Sequence, residues 1–275
     1  MSFMPTRIDQ PASIPDNPQH SQRYGFNIKG SVHISRTIML DALSALIDYV
    51  GNPAADKADY INALENENCL GKRSNSNRKN TRRFLLELYA LDPSVTIFRS
   101  LLYFWQREKA GHALQSLLCA FARDEILRKC APFVLNHPQG ALILPETLKS
   151  HLAEKEPGRF SEVTLLTIAQ HVNSSLTQTG HLKGKYKKIR ARAQVTSGAV
   201  SYSLFLGYLN GLRGEALFRS EYAQLLDCSM EHAVELAEDA SRKGWIVLKR
   251  IGSVIEVLFP SLLTAWEMEW IREQN

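Results

Sequence analysis

Hydrophobic residues recur at helical spacing through most of the first 140 residues of the 275-residue chain. Apolar positions three and four residues apart predict amphipathic helices, and Pro, Gly or capping residues between them predict turns. We expect five helices, at about residues 35–50, 56–64, 76–91, 94–105 and 110–134. Ser35 and Asp56 are the expected N-caps of the first two. Helices joined by short turns are typical of a bundle.

The second half of the chain mixes helical and strand patterns. Ser161 can cap a helix that Gly180 ends, and a further helix is expected over residues 199–210. Between them, apolar and basic residues alternate over residues 188–195, which predicts a strand with one apolar and one basic face. A helix over 218–226, a turn, a helix over 229–243 and a hairpin over 245–259 around Gly252 and Ser253 then follow in the order of a winged helix.

The predicted fold class is mainly α: a helical-bundle N-terminal domain followed by a helical C-terminal region with small β-hairpins, which is winged-helix-like. Residues 1–27 are expected to be a flexible arm, residues 28–140 the bundle and residues 145–275 the C-terminal domain. The arm lacks the apolar core of a secretory signal, and no run of 18 apolar residues occurs in the chain. We therefore expect a cytoplasmic protein that does not contact a membrane.

Positive charge is concentrated in two segments. The chain has a net charge of +5, whereas residues 71–83 and residues 181–192 each contain six Lys or Arg and no acid. The rest of the chain is therefore net negative. Concentrated positive charge is typical of proteins that bind nucleic acid.

The first basic segment is predicted to form a turn and a helix. Four cations on one side of that helix repel each other, and cations near a helix N-terminus oppose its dipole. A polyanion would relieve both effects, although a solvated helix face is the simpler interpretation. The predicted phosphate-contacting residues of this segment are Lys72, Arg73, Ser74, Ser76, Arg78, Lys79, Arg82 and Arg83.

The second basic segment is predicted to place cations on one face of a strand. Either this face contacts the same DNA, or it is an edge strand that stays basic to discourage aggregation. Its predicted DNA-contacting residues are Lys185, Lys187, Lys188, Arg190 and Arg192.

Signatures of catalysis and of cofactor binding are missing from the sequence. Walker loops, dinucleotide-binding glycine motifs, zinc-protease motifs and nucleophile elbows do not occur. Four widely spaced cysteines suggest neither a zinc site nor disulfides, and His112, His171 and His232 are more typical of helix surfaces or satisfied core positions than of ligands. We expect no catalytic residues, no metal and no cofactor.

The predicted C-terminal winged helix has the wrong charge for DNA. The helix that would enter the groove carries acids at residues 231, 235, 238 and 239, which would face phosphates. This module therefore favours a contact with protein. Two alternatives to non-specific DNA binding remain: a protein–protein adaptor, and a winged-helix transcriptional regulator that binds one operator as a symmetric dimer.

Three short motifs resemble the BrxA family of BREX phage-defence systems. They are Y-x-x-x-I-x-G-S (Tyr24, Ile28, Gly30, Ser31), L-x-K-R-S-x-S leading into the basic helix (Leu70, Lys72, Arg73, Ser74, Ser76) and L-x-x-x-G-x-L (Leu176, Gly180, Leu182). The resemblance covers about residues 24–226. It implies an all-helical, non-enzymatic accessory protein that binds double-stranded DNA and works beside other proteins of the defence system. The Pro-containing arm and the C-terminal helix–hairpin module depart from the pattern.

Overall fold

The computed structural model describes residues 23–27, 30–252 and 254–273, so most of the predicted arm lies outside the described residues. The first half of the described chain consists of helices: α1 (Leu40–Val50), α2 (Lys57–Glu65), α3 (Asn75–Tyr89), α4 (Thr96–Trp105), α5 (His112–Arg123) and α6 (Glu125–Leu135). A 3-10 turn, Lys109–Gly111, precedes α5.

Two of these helix starts were predicted correctly and one was not. The Asp56 side chain caps α2 and forms a capping box with Asp59, and Ser74 caps α3 by accepting from the Asn77 amide at 3.2 Å. By contrast, α1 starts five residues later than expected, after Met39, which has a φ of 54°. The residues before α1 are held by hydrogen bonds to other helices, and the Ser35 side chain does not cap α1.

The long helix predicted over residues 110–134 is divided in two at Asp124. This residue adopts an extended conformation, and its side chain accepts from the Leu127 amide at 2.9 Å as the N-cap of α6. The apolar spacing continues across the break, because α5 and α6 both pack on the core. Helical periodicity alone therefore could not reveal the division.

The second half contains short strands and further helices. In chain order these are β1 (Leu142–Ile143), α7 (Pro145–Lys155), α8 (Glu162–Gln178), β2 (Leu182–Lys183), β3 (Lys188–Arg190), α9 (Ser197–Leu209), a 3-10 turn (Gly214–Arg219), α10 (Glu221–Gln224), α11 (Met230–Arg242), β4 (Val247–Ile251), β5 (Val254–Leu258) and α12 (Ala265–Glu273). Ser161 caps α8 as predicted.

A three-stranded antiparallel sheet lies beside α8. The strand order is β1-β3-β2, with Leu142 opposite Ile189 and Leu182 opposite Arg190. β3 is much shorter than the strand predicted over residues 188–195, and β1 was not predicted. Helices α6, α7 and α8 pack against each other, and α8 packs against β2. Residues 125–190 thus have the order helix, strand, helix, helix, hairpin.

The C-terminal module follows the sequence prediction closely. The predicted helix over 218–226 is replaced by the 3-10 turn and the short α10, but α11 and the hairpin of β4 and β5 are present. Ser253, in the predicted hairpin turn, lies outside the described residues. The last helix contacts the first half of the chain. Glu267 Oε2 on α12 lies 2.7 Å from Arg99 Nη2 on α4.

The fold is mainly α with small β-hairpins, as predicted. One hydrophobic core extends from Tyr24 to Ile271 across both halves of the chain, including the boundary expected at residues 140–145. The division into two domains stays a prediction. In the part of the chain that the structure describes, each helix is too short or too polar to cross a membrane.

Candidate nucleic-acid interface

The outer face of α3 presents exposed cations. Lys79 and Arg83 are exposed, as are Arg73 and Ser76 at the start of the helix. Buried Phe84, Leu85 and Leu88 hold the opposite face against the core. The predicted helix extends to Leu91, but α3 ends at Tyr89, and the next two residues turn away with positive φ.

Two cations expected on this exposed face instead pack against α2. Arg78 Nη1 donates to the Glu65 carbonyl oxygen at 2.7 Å, and Arg82 Nη1 lies 3.2 Å from the Glu65 carboxylate. Both arginines are half-buried. The prediction that all four cations of the helix share one free side is therefore wrong. Arg78 and Arg82 lie at the edge of the exposed face and bind α3 to α2.

The turn before α3 is ordered by its own polar groups. The Lys72 amide donates to Asn68 Oδ1 at 2.7 Å, and Ser74 Oγ is occupied as the N-cap. Lys72 is half-buried. The motif L-x-K-R-S-x-S thus builds a turn and a helix cap, whose effect is to present the Arg73 side chain to solvent.

An additional cation, Arg36, adjoins this surface and was missed by the sequence interpretation. Its guanidinium lies 5.2 Å from the centre of the Phe84 ring, and that of Arg83 lies 4.7 Å from the same ring. Both guanidinium groups therefore contact one aromatic side chain. On another flank of α3, an open cleft of about 440 Å³ is lined by Lys79, Asn80, Arg82, Arg83 and Arg123 among others.

The second basic segment forms the turn between β2 and β3. Lys183, Lys185 and Lys187 are exposed, and Tyr186 between them is 86 % exposed. Gly184 has a φ of 100°, and a Cβ there would overlap the carbonyl oxygen of Lys187. The turn therefore needs glycine at this position. Lys188 Nζ donates back to the Gly184 carbonyl at 2.8 Å, which closes the turn.

Arg190 is buried, contrary to the prediction that it lies on an exposed basic face. Its Nη2 lies 2.9 Å from Asp227 Oδ1 and 3.1 Å from the Leu135 carbonyl oxygen. Ile189, which was expected to be inside, is 37 % exposed. The expected alternation is inverted here because the face of β3 that carries Arg190 packs against acceptors from three other elements, at Asp227, Leu135 and His181.

Arg192 is exposed, as predicted, but it lies outside the strand. It lines a cavity of about 690 Å³ together with Glu221, Asp227 and Cys228. These neighbours are partly acidic. Arg192, like Arg82 and Arg190, is thus a predicted contact that lies near carboxylates rather than among cations.

The exposed cations of the two basic surfaces lack acidic partners. Lys79, Arg83, Lys185 and Lys187 form no salt bridge with any residue in the described ranges. Many other surface cations pair with carboxylates; examples are Lys129, Lys149, Arg159, Lys243 and Lys249. Exposed Arg107, Lys109, Lys155 and Arg250 also form no salt bridge within those ranges. Unpaired, clustered cations are available to an external polyanion.

The segment of residues 33–40 connects α3 with α8. Ser175 Oγ on α8 accepts from the Ile38 amide at 3.0 Å, and the Leu40 amide donates to Gln178 Oε1 at 3.3 Å. From the other side, the Tyr89 hydroxyl at the end of α3 donates to the Ile38 carbonyl. The basic helix and α8 are therefore separated by the width of one segment, which carries Arg36.

A buried Asp–His–Ser cluster anchors the same segment. His33 Nδ1 lies 2.8 Å from Asp124 Oδ2, and His33 Nε2 lies 2.9 Å from Ser175 Oγ. These contacts resemble a hydrolase triad, but all three residues are at most 1 % exposed, so a substrate could not reach Ser175. The Ser175 hydroxyl also donates to the His171 carbonyl oxygen, which occupies its proton.

The cluster is held together by charge. Burial raises the pKa of Asp124, but attraction to His33 and hydrogen bonds from His33, Leu127 and Ser31 outweigh it and lower that pKa to about 2. Asp124 also accepts from the backbone amides of Val32 and His33. Sequence reasoning placed Asp124 and Glu125 within one helix as neighbours that diverge, because the long-range partners at residues 31–33 leave no local pattern.

Comparison with known proteins leaves the family open. No protein-family model matches the sequence, and no curated protein matches it significantly. The motif residues have structural roles: Ser74 caps α3, Gly180 turns the chain with a φ of 84°, and Leu176 and Leu182 are buried. Ile28 of the first motif lies outside the described residues.

Proposed function

We propose that the protein is a non-enzymatic accessory protein that binds duplex DNA with little sequence specificity, as part of a bacterial phage-defence system of the BREX type. The DNA would be held by the exposed cations of α3 and of the β2–β3 turn. The observation that carries this proposal is the clustering of exposed cations that have no acidic partners among the described residues, whereas many other surface cations are paired. The defence role rests on the resemblance to the BrxA family.

Salt dependence tests the DNA-binding part of the proposal. Each phosphate that a cation neutralises contributes about −0.9 to the slope of log K against log salt on duplex DNA. Four to six contacts predict a slope of roughly −4 to −5. Fluorescence anisotropy of a labelled 30-bp duplex between 50 and 300 mM salt would measure it. No binding, or binding without a slope, would exclude the proposal.

A second candidate, a protein–protein adaptor, is favoured by the surface of the C-terminal module. Glu231 and Glu235 on α11 are exposed, and Ile251 and Val254 on the hairpin are 82 % and 68 % exposed. An acidic helix beside exposed apolar side chains suits a partner with a basic and apolar surface. This module would then dock the other defence proteins while the opposite surfaces hold DNA.

Surface substitutions test the adaptor better than truncation, because Tyr222 and Ala237 of this module are buried in the common core. Glu231→Lys with Glu235→Lys should abolish co-purification with the products of neighbouring defence genes and leave duplex affinity intact. Unchanged co-purification would argue against the adaptor. A loss of duplex affinity would instead place the DNA site on this module.

A further inference from the structure

The arrangement of residues 125–190 is that of a winged helix, and the sequence interpretation did not identify it. Helix α6 leads to β1, α7 and α8 form a helix pair, and β2 and β3 form a hairpin that β1 completes in the order β1-β3-β2. In helix-turn-helix proteins the second helix of the pair enters the major groove. Here that helix is α8, and the lysine-rich β2–β3 turn is the wing.

Helix α8 has an uncharged face that is partly exposed. Val163 and Gln170 on this face are exposed, and the half-buried residues beside them are Leu166, Thr167, Ser174 and Thr177. None is Asp, Glu, Lys or Arg. At one edge of the face, His171 and Gln178 bind residues 33–40, and Glu162 at the start of the helix pairs with Lys149. The helix has 17 residues and is thus about 25 Å long, enough to reach into a groove about 12 Å wide. The corresponding face of α11 carries acids, which a groove lined by phosphates would repel.

Cations lie on two elements that adjoin α8. The wing follows α8 after a turn of three residues and carries exposed Lys183, Lys185 and Lys187. Arg36 belongs to the segment that α8 binds through Ser175 and Gln178, and it contacts the same Phe84 ring as Arg83 of α3. A neutral helix face with unpaired cations on neighbouring elements matches a groove flanked by phosphates.

We propose that α8 enters the major groove of duplex DNA while the wing, Arg36 and the outer cations of α3 contact the phosphates on either side. This inference rests on the proposed function and specifies how the duplex is engaged. Duplex RNA fits less well, because the major groove of an A-form helix is too deep and narrow for side chains to read. Gln, Ser and Thr on α8 can also hydrogen-bond base edges, which would add a modest sequence preference.

Site-specific photo-crosslinking tests the placement of α8. A benzophenone amino acid at Gln170, which is exposed on the proposed face, should crosslink to a bound 30-bp duplex. The matched control is the same amino acid at Ser150, which is exposed on α7 opposite the buried Leu148 and Leu152. Crosslinking at position 170 and not at position 150 is the expected result.

The wing is tested by comparing substitutions in the β2–β3 hairpin with matched substitutions in the β4–β5 hairpin. Lys185→Ala with Lys187→Ala should make the salt slope less steep by about 1.8, at 0.9 per phosphate. Lys249→Ala with Arg250→Ala removes two exposed cations from the β4–β5 hairpin and should leave the slope unchanged. The reverse result would assign the contact to the C-terminal module and overturn the inference.

The outcomes separate this inference from the function on which it rests. Duplex binding with the expected salt slope but no crosslink at position 170 would keep the proposed function and remove α8 from the groove. Tighter binding of duplex RNA than of duplex DNA, measured by the same anisotropy assay, would also overturn groove entry. Absence of duplex binding by the native protein would remove the proposed function itself.

Discussion

Arg190 and Asp227 form an ion pair that joins the two winged-helix-like parts of the protein. Arg190 Nη2 on β3 lies 2.9 Å from Asp227 Oδ1 in the turn before α11, and the arginine side chain is only 2 % exposed. The same guanidinium donates to the carbonyl oxygens of Leu135 and His181. Arg190 therefore links the end of α6, the start of β2 and the turn before α11.

The first prediction concerns the stability that this pair provides. Arg190→Ala leaves Asp227 without its cation and three elements without their common donor. Breaking a buried ion pair costs about 3–5 kcal/mol, and we expect a value near the lower end because Asp227 is 19 % exposed. Urea unfolding measures the loss. Arg192→Ala, two residues on and exposed, should change the free energy of unfolding by less than about 0.5 kcal/mol.

A second prediction separates binding from structural cations within α3. Lys79→Ala with Arg83→Ala should weaken duplex binding and make the salt slope less steep by about 1.8, because two phosphate contacts are lost. Arg78→Ala removes a hydrogen bond to the Glu65 carbonyl instead, so it should lower stability by about 1 kcal/mol with little change in slope. Anisotropy and urea titrations on the same preparations distinguish the two effects. If both variants had the same salt slope, the exposure of a cation would not decide whether it contacts DNA.

The third prediction concerns cooperation between the two basic surfaces. Residues 33–40 hold α3 and α8 close together, so the cations of α3 and of the wing can contact one duplex. Once one surface is bound, the DNA has a high effective concentration at the other. Lys79→Glu with Arg83→Glu should then cost nearly as much affinity as the same change combined with Lys185→Glu and Lys187→Glu. If the wing pair alone has no effect, the turn is a solvated, aggregation-resistant edge and α3 is the DNA site by itself.

A fourth prediction follows from Asp124. Its pKa is lowered from 3.8 to about 2 in the folded state, so the folded protein holds this carboxylate ionised where the unfolded chain would protonate it. The resulting stability is complete above about pH 4 and is lost as the pH falls toward 2; it amounts to about 2 kcal/mol. Urea unfolding of native protein and of Asp124→Asn, measured from pH 5 to pH 2.5, should show a shallower loss in the variant. Parallel curves would mean that the cluster is not ionic.

The fifth prediction places a separate loss of stability at higher pH. Burial lowers the pKa of His181 to about 4, although its hydrogen bond to the Leu225 carbonyl opposes the shift. The unfolded chain binds this proton near pH 6.5, so stability is complete above pH 6.5 and falls between 6.5 and 4. His181→Gln should reduce this slope without removing it, since burial also lowers the pKa of His112 and His171.

Local patterns in the sequence determined much of the secondary structure. Asp56 and Ser161 cap helices as predicted, and the cap of α3, Ser74, lies within the run of residues 74–77 expected to contain it, because a cap is a contact between residues two or three positions apart. The apolar spacing of α3 and α9 and the β4–β5 hairpin were also predicted from neighbours in the chain. The concentration of basic residues in two segments is likewise a property of the sequence.

Tertiary structure decided which basic residues are available to a partner. Arg78 and Arg82 share the helix with Lys79 and Arg83, but packing against Glu65 of α2 occupies them. Arg190 follows the same alternation as Lys188, but acceptors on Asp227, Leu135 and His181 surround Arg190 and bury it. These outcomes depend on acceptors 13 and 37 positions away in the chain, which periodicity does not register. The sequence thus determined where the charge is concentrated, and the packing of distant elements decided which charges face solvent, since only a partner within hydrogen-bonding distance can neutralise a buried cation.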